Sequence, residues 1–310
     1  MFGQLQDRRE FLAIAMGSMT SLATQSLFAG PTTKAQGRIA FVRGDFGDSA
    51  DRKIFLINPD GSNLQPLTAS KIGVGEDRPC WSPDGKRLAF SVHQRIAVCK
   101  NDGANVTILT PIEMQADAPT WSPDATHIAF HAWDKGRSSS QIYSMKSDGT
   151  DIRQLTKSEG FNWTPSWCAD NQTIVFESTR TGNREIFSMS LDGSNERNLS
   201  NHKATDHAPK CAPDGKRIAF AAGRDFGNLE IVVMTIDGTG ITNVTKNDAR
   251  DSEPTWSTDG ESIAFARSTN PNDGDSPMHI FVMRADGSNQ TNITNNDPNT
   301  QNWGPAWGRI

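Results

Sequence analysis

Pro79-Cys80-Trp81-Ser82-Pro83-Asp84-Gly85-Lys86-Arg87-Leu88-Ala89-Phe90 decides the fold, because near copies of this phrase recur along the chain. Its first half returns at Pro119–Ala125, Pro165–Asn171, Pro209–Gly215 and Pro254–Gly260, and in shortened form at Pro305–Gly308. Its closing apolar element ends at Phe41, Phe90, Phe130, Phe176, Phe220 and Phe265, successive positions lying 40 to 49 residues apart. That is the period of a four-stranded propeller blade.

Each unit reads as four strands. Pro119-Thr120-Trp121-Ser122 is short and half apolar, and serves as strand A. Pro-Asp-Gly then supplies a tight turn, with proline presetting the first corner and glycine taking the left-handed position. Arg217-Ile218-Ala219-Phe220 is strand B, rich in residues that suit a pleated surface. Glu185-Ile186-Phe187-Ser188-Met189 is strand C, Asp192-Gly193 the next turn, and Arg197-Asn198-Leu199-Ser200 the outer strand D. Ala125 and Asn171 stand where the other A–B turns have glycine, and an alanine held left-handed costs roughly 1 kcal/mol.

The chain ends show how the ring closes. Gly37-Arg38-Ile39-Ala40-Phe41 opens a unit that has strands B, C and D but no A, while Pro305-Ala306-Trp307-Gly308 is an A strand with nothing after it. Joined, they complete a sixth blade and tie the chain ends together. The expected fold is therefore an all-β, six-bladed propeller over residues 37–310. The net charge of −5 is mild and no long basic run appears, which argues against nucleic acid as a partner.

Residues 1–35 follow different rules. Arg8-Arg9 and Phe11-Leu12 precede a weakly apolar run from Ala13 to Ala29, which resembles a twin-arginine export signal. Asp7 and Ala13 depart from the usual pattern. The apolar core is short and broken by Ser, Thr, Gly and Gln, so no transmembrane segment is expected in the mature chain. Export to the periplasm is the expected destination. Four cysteines invite a disulfide reading, but Cys80, Cys168 and Cys211 fall on the A strands of three separate blades. Cys99 lies on strand C of the Cys80 blade, two strand spacings away. Free thiols are expected for all four.

The phrase Pro-x-Trp-Ser-Pro-Asp-Gly-Lys-x-Ile-Ala-Phe, with Gly61-Ser62-Asn63 and Gly193-Ser194-Asn195 downstream, resembles the TolB-type six-bladed propeller. The similarity spans residues 37–310. It implies a propeller that binds protein at the cell envelope, where TolB proteins bind a peptidoglycan-associated lipoprotein. TolB proteins also place an α/β domain before the propeller, and no counterpart precedes residue 37 in this sequence. Similar propellers accompany prolyl-oligopeptidase-like enzymes and some sugar-acting lyases, so the fold alone does not name a function.

The sequence holds no Gly-x-Ser-x-Gly elbow, no His-Glu-x-x-His and no phosphate-cradling Gly-Lys-Ser/Thr loop. His127 and His131 are four apart, about 13 Å along a strand, which is too far to share one zinc. No cofactor is expected. The fragments Asp45–Asp48 and Asn272–Asp275 leave a calcium ion in the channel or loops as the only metal worth testing.

The A–B and C–D turns are uniform, whereas the B–C loops and D–A connections on the opposite face vary widely, and function favours variable loops on a rigid scaffold. Residues just before each strand-A proline are expected to ring the channel mouth on that variable face. They are Glu76 and Asp77, Gln115 and Asp117, Asn162 and Trp163, Asp206 and His207, Asp251 and Ser252, and Asn302 and Trp303. This ring reads as acidic, with Trp163 and Trp303 as anchors for a partner. Two functions fit: a monomeric, non-catalytic binder of a protein or peptide, or a glycan hydrolase or lyase using Asp206 or Asp251 with His207.

Export is directly testable. Changing Arg8 and Arg9 together to Lys is expected to hold the precursor inside the cell, read by fractionation and immunoblotting. Normal periplasmic accumulation of the Lys-Lys variant removes twin-arginine export from the account.

Overall fold

The structure, a computed structural model, describes residues 36–44, 51–68, 75–224, 226–268, 276–294 and 300–309. The export signal at Arg8, Arg9, Phe11 and Leu12 lies outside the described residues. The described residues form six antiparallel sheets of four strands each, arranged as the blades of a propeller. Blade 4 is representative, running Asn162–Trp167, Thr173–Ser178, Glu185–Ser190 and Arg197–Asn198 in the spatial order A-B-C-D. Blade 1 takes its A strand, Gln301–Gly308, from the C-terminal end of the chain. That strand pairs with Arg38–Gly44 in the register Ile39↔Trp307 and Val42↔Trp303, closing the ring as the sequence implied.

The core lies between blades. Each repeated phenylalanine, from Phe41 to Phe265, is fully buried. Phe90 packs on Ala40, Ile54 and Leu56 of blade 1, and Phe220 on Val175 and Ile186 of blade 4. Replacing one such phenyl ring by a methyl typically costs about 3–5 kcal/mol.

Two repeated details fasten the outer strands. In blades 2 to 6 the Thr or Ser after the apolar residue of strand D accepts a hydrogen bond from the first apolar N–H of strand C, as Thr110 does from Ile96 (3.0 Å) and Thr294 from Ile280 (2.9 Å). The glycine of the C–D turn has positive φ and also meets the neighbouring blade: a Cβ on Gly193 would come 2.2 Å from the Leu155 carbonyl oxygen. The A–B turn is more tolerant. Ala125 and Asn171 adopt left-handed φ of 59° and 56° there, and a Cβ on Gly215 would meet its nearest neighbour, Ala169, at an ordinary contact distance of 3.6 Å.

Two tryptophans of strand A tie neighbouring blades at the axis through their indole N–H. The Trp121 indole donates to the Cys80 carbonyl of the preceding blade (3.2 Å) and the Trp256 indole to the Lys210 carbonyl (3.0 Å). Blade 5 has Cys211 in place of this tryptophan, so the seam between blades 4 and 5 lacks the indole. There Cys211 is disulfide-bonded to Cys168, and its N–H donates to the Ser166 hydroxyl (3.1 Å). The expectation of four free thiols is thus corrected for this pair. Inner strands of neighbouring blades converge at the axis, bringing the two Cα atoms to 5.2 Å, within bridging range. Cys80 and Cys99 are thiols, and burial pushes Cys99 up to about 12.

The disulfide replaces a missing staple, and its removal has a measurable consequence. Cys168→Ala with Cys211→Ala is expected to lower unfolding free energy by about 2–4 kcal/mol, seen as a reduced denaturant midpoint. Reductant should shift the parent protein alike and leave the variant unmoved. Equal midpoints for parent and variant would show that the seam is held by other contacts.

Candidate functional site

The site grows from a backbone irregularity repeated in every inner strand. The A–B register slips at the same place in each blade, for example between Asp77 and Cys80, Trp163 and Ser166, and His207 and Lys210. The residue before each proline is left-handed: Arg78, Ala118, Thr164, Ala208, Glu253 and Gly304 have φ between 44° and 59°. Only one of these is glycine. The others accept roughly 1 kcal/mol of strain each, in a place where a following proline already restricts the backbone. Such bulges re-aim side chains. Here the residue before each slip, namely Asp77, Asp117, Trp163, His207, Ser252 or Trp303, lines the mouth.

The mouth is a cavity of about 520 Å³ to which all six blades contribute. Of the ten residues expected to bind a partner, Asp77, Asp117, Trp163, His207 and Trp303 line it. Glu76, Asn162, Asp206, Asp251 and Asn302 do not. Adjacent residues on a strand point to opposite sides, and these five point back into the blades, where they are buried. Glu76 accepts the Ile54 N–H (3.0 Å) and the Thr68 hydroxyl. Asp206 pairs with Arg224 (2.7 Å), and Asp251 grips Arg267 with both oxygens (2.7 and 2.8 Å). Asn302 accepts from Arg43 (2.9 Å), and Asn162 bonds the Ser140 carbonyl (3.2 Å). These groups anchor the inner strand. Trp303 is also largely packed, being 9% exposed with its indole N–H on Asp77 (3.1 Å).

The structure adds residues that the reading of the repeat passed over. Arg52, Arg78, Arg184 and Arg250 line the mouth together with Glu177 and Glu253. The expected acidic ring is therefore corrected to a mixed one: four arginines face Asp77, Asp117, Glu177 and Glu253. Arg52 pairs with Asp77 (3.2 Å), Arg184 with Glu177 (3.2 Å), and Arg78 with Glu253 (2.5 Å). Glu253 also accepts the Gly304 N–H (2.8 Å), so the last pair lies across the floor of the mouth. One signal was present in the sequence. The position after the repeated phenylalanine is Ser91, His131 and Glu177 in blades 2 to 4, but Val42, Ala221 and Ala266 in the others.

Burial sets the protonation of the mouth. It pushes Asp77 up to about 6, with Asp117 and Glu253 adding to the effect and Arg78 opposing it. It also raises Glu177, against the pull of Arg184. His131 and His207 are both lowered to about 4, mainly by burial, so both rings are neutral at pH 7. The His131 ring is 4% exposed, with Nδ1 buried and unpartnered, and meets Trp133 edge-on at 4.6 Å. Trp163 is half-buried, stacked on Phe161 (4.8 Å) and capped by the Arg184 guanidinium (4.7 Å). Such a surface binds flat or apolar groups beside polar ones. Among the described residues, no group of three His, Cys, Asp or Glu could hold a metal ion, and the fragments 45–48 and 272–275 lie outside them.

Six closed blades around a mixed-charge mouth define a propeller whose chemistry sits at one end of its channel. The chain belongs to the TolB beta propeller domain family, whose model matches residues 28–309. No curated protein matches it significantly. It is similar in structure to TolB from Acinetobacter baumannii, with a TM-score of 0.75 at 20% identity, covering 89% of this chain and 68% of that one. A putative TolB from Agrobacterium tumefaciens matches with a TM-score of 0.69 at 19% identity, covering 89% and 100%. An oligogalacturonate lyase from Vibrio parahaemolyticus gives 0.55 at 12% identity, covering 82% and 78%. At these identities the likenesses show the fold alone.

The depressed histidines predict a pH dependence. A group whose folded pKa is lowered stabilises the fold above its unfolded value, near 6.5, and that contribution is lost as pH falls through about 4. Ring-proton NMR is expected to show both His131 and His207 neutral at pH 6. His131→Gln should flatten the loss of stability between pH 6.5 and 4; an unchanged slope would mean that the ring charges freely in the folded state.

Proposed function

We propose that this protein is an exported, non-catalytic propeller that captures a protein or peptide segment at the mouth on its variable face. The observation that carries this reading is the Trp163 ring, half-buried between Phe161 and Arg184 at the rim of a cavity to which all blades contribute. Aromatic and arginine side chains in such settings are the usual anchors of protein interfaces. Membership of the TolB propeller family supports a protein partner, an envelope lipoprotein being the form that the resemblance implies. The Cys168–Cys211 disulfide supports an oxidising compartment such as the periplasm, and the Arg8-Arg9 leader supports export to it. The glycan-enzyme reading has less support, because Asp206 and Asp251 are held by Arg224 and Arg267 and do not line the mouth beside His207.

A pull-down from an envelope fraction with the mature protein as bait tests the proposal. Trp163→Ala with Arg184→Ala is expected to weaken capture by about 2 kcal/mol or more, a factor near 30, with the unfolding midpoint nearly unchanged. A specific partner captured equally by parent and variant would move the binding surface away from this rim.

A further inference from the structure

The axis continues below the mouth through two more spaces. A constriction of about 40 Å³ is lined by residues of all six blades, among them Pro79, Pro119, Pro254 and Pro305. Under it, a vestibule of about 450 Å³ opens among the Pro-Asp-Gly turns of the opposite face. The constriction has room for little beyond water. For anything larger, mouth and vestibule are separate compartments.

Lys210 lines both the constriction and the vestibule. It follows Pro209 on the inner strand of blade 5, where the other blades have Cys80, Thr120, Ser166, Thr255 and Ala306, all uncharged. Among the described residues, the vestibule lining contains two cations, Lys210 and Arg309, and no carboxylate. Carboxylates of the nearby turns are occupied locally. Asp84 accepts from the Ser82 hydroxyl and Lys86 N–H, Asp259 from the Ser257 hydroxyl and Glu261 N–H, and Asp214 pairs with Arg217. Arg78 above the constriction has Glu253, whereas Lys210 has no ion pair among the described residues.

The walls have a different character. Trp81, Trp121, Trp167, Trp256 and Trp307 surround the vestibule, joined by Pro83, Pro123 and Pro213. The indole N–H groups of Trp81 and Trp167 are buried without an acceptor, unlike those of Trp121 and Trp256. A cationic base with aromatic walls selects an anion that carries an apolar body. The volume falls within the usual range for small-ligand sites, about 300–1,000 Å³.

We propose that this lower vestibule binds a small organic carboxylate, with Lys210 holding the carboxylate group and the tryptophan rings packing its apolar or aromatic body. The site is independent of partner capture at the mouth. Burial lowers the Lys210 pKa and Arg78 adds to this, while Cys80 and Glu253 oppose it. A bound carboxylate would raise it again, so binding should weaken as pH rises toward the free lysine's own titration.

Benzoate titrated calorimetrically into the full chain at neutral pH tests the site. Saturable binding of one equivalent is expected, with benzyl alcohol, a neutral molecule of similar shape, at least ten-fold weaker. Lys210→Met should weaken benzoate at least ten-fold, while Lys210→Arg retains it and Trp163→Ala at the other face leaves it unchanged. The comparison of benzoate with benzyl alcohol needs no variant and stands if Lys210→Met does not fold. Absence of saturable benzoate binding, equal binding of the alcohol, or a folded Lys210→Met protein that binds benzoate like the parent would each overturn the proposal.

Discussion

Six innermost strands must share one axis, and that crowding governs most of what is distinctive here. Each inner strand is the free edge of its sheet, so its outward-facing backbone groups need protection from stray pairing. Proline at the same place in every blade removes a donor there and is tolerated because no partner strand needs it. The left-handed residue before it, from Arg78 to Gly304, lets the strand bend where the neighbours close in. In blades 3 and 6 the tryptophan indole then bridges to the preceding inner strand. Where blade 5 lacks that ring, a disulfide spans the same seam.

The fold was open to sequence reading because every level repeats: the turn chemistry, the buried phenylalanine, and the spare strand at one end that matches a gap at the other. The Cys168–Cys211 bridge was not, because assigning cysteines to separate blades ignores how close strands come at a common axis. Distance between blades depends on radius, and at the inner edge it falls to 5.2 Å between Cα atoms. Chain spacing alone carries no radius.

The mouth was half legible, for a simple geometric reason. The two residues before the inner proline, or the bulge position, were treated as one ring, yet successive side chains on a strand take opposite sides. Asp206 is buried on Arg224, while His207, its immediate neighbour, faces the cavity. The arginines were harder to anticipate. Arg52 and Arg184 stand just before the C strands of blades 1 and 4 and Arg250 opens the inner strand of blade 6; the first two pair with Asp77 and Glu177, so the apparently acidic rim carries both signs.

Departures from the repeat are also what give the mouth a direction. The position after the repeated phenylalanine is Ser91, His131 and Glu177 in blades 2 to 4, of which His131 and Glu177 line the mouth, and it is apolar and packed in the core in blades 1, 5 and 6. Trp163 and Arg184 lie on blade 4, next to Glu177. Trp303, with its indole committed to Asp77, lies on blade 1. A six-fold scaffold with equivalent blades would offer an entering segment several equal orientations. The mouth residues differ from blade to blade, with His131 on blade 3, Glu177 and Arg184 on blade 4, His207 on blade 5 and Arg250 and Glu253 on blade 6, so that degeneracy is removed. Specificity at such a mouth is thus written in the positions where the repeat fails.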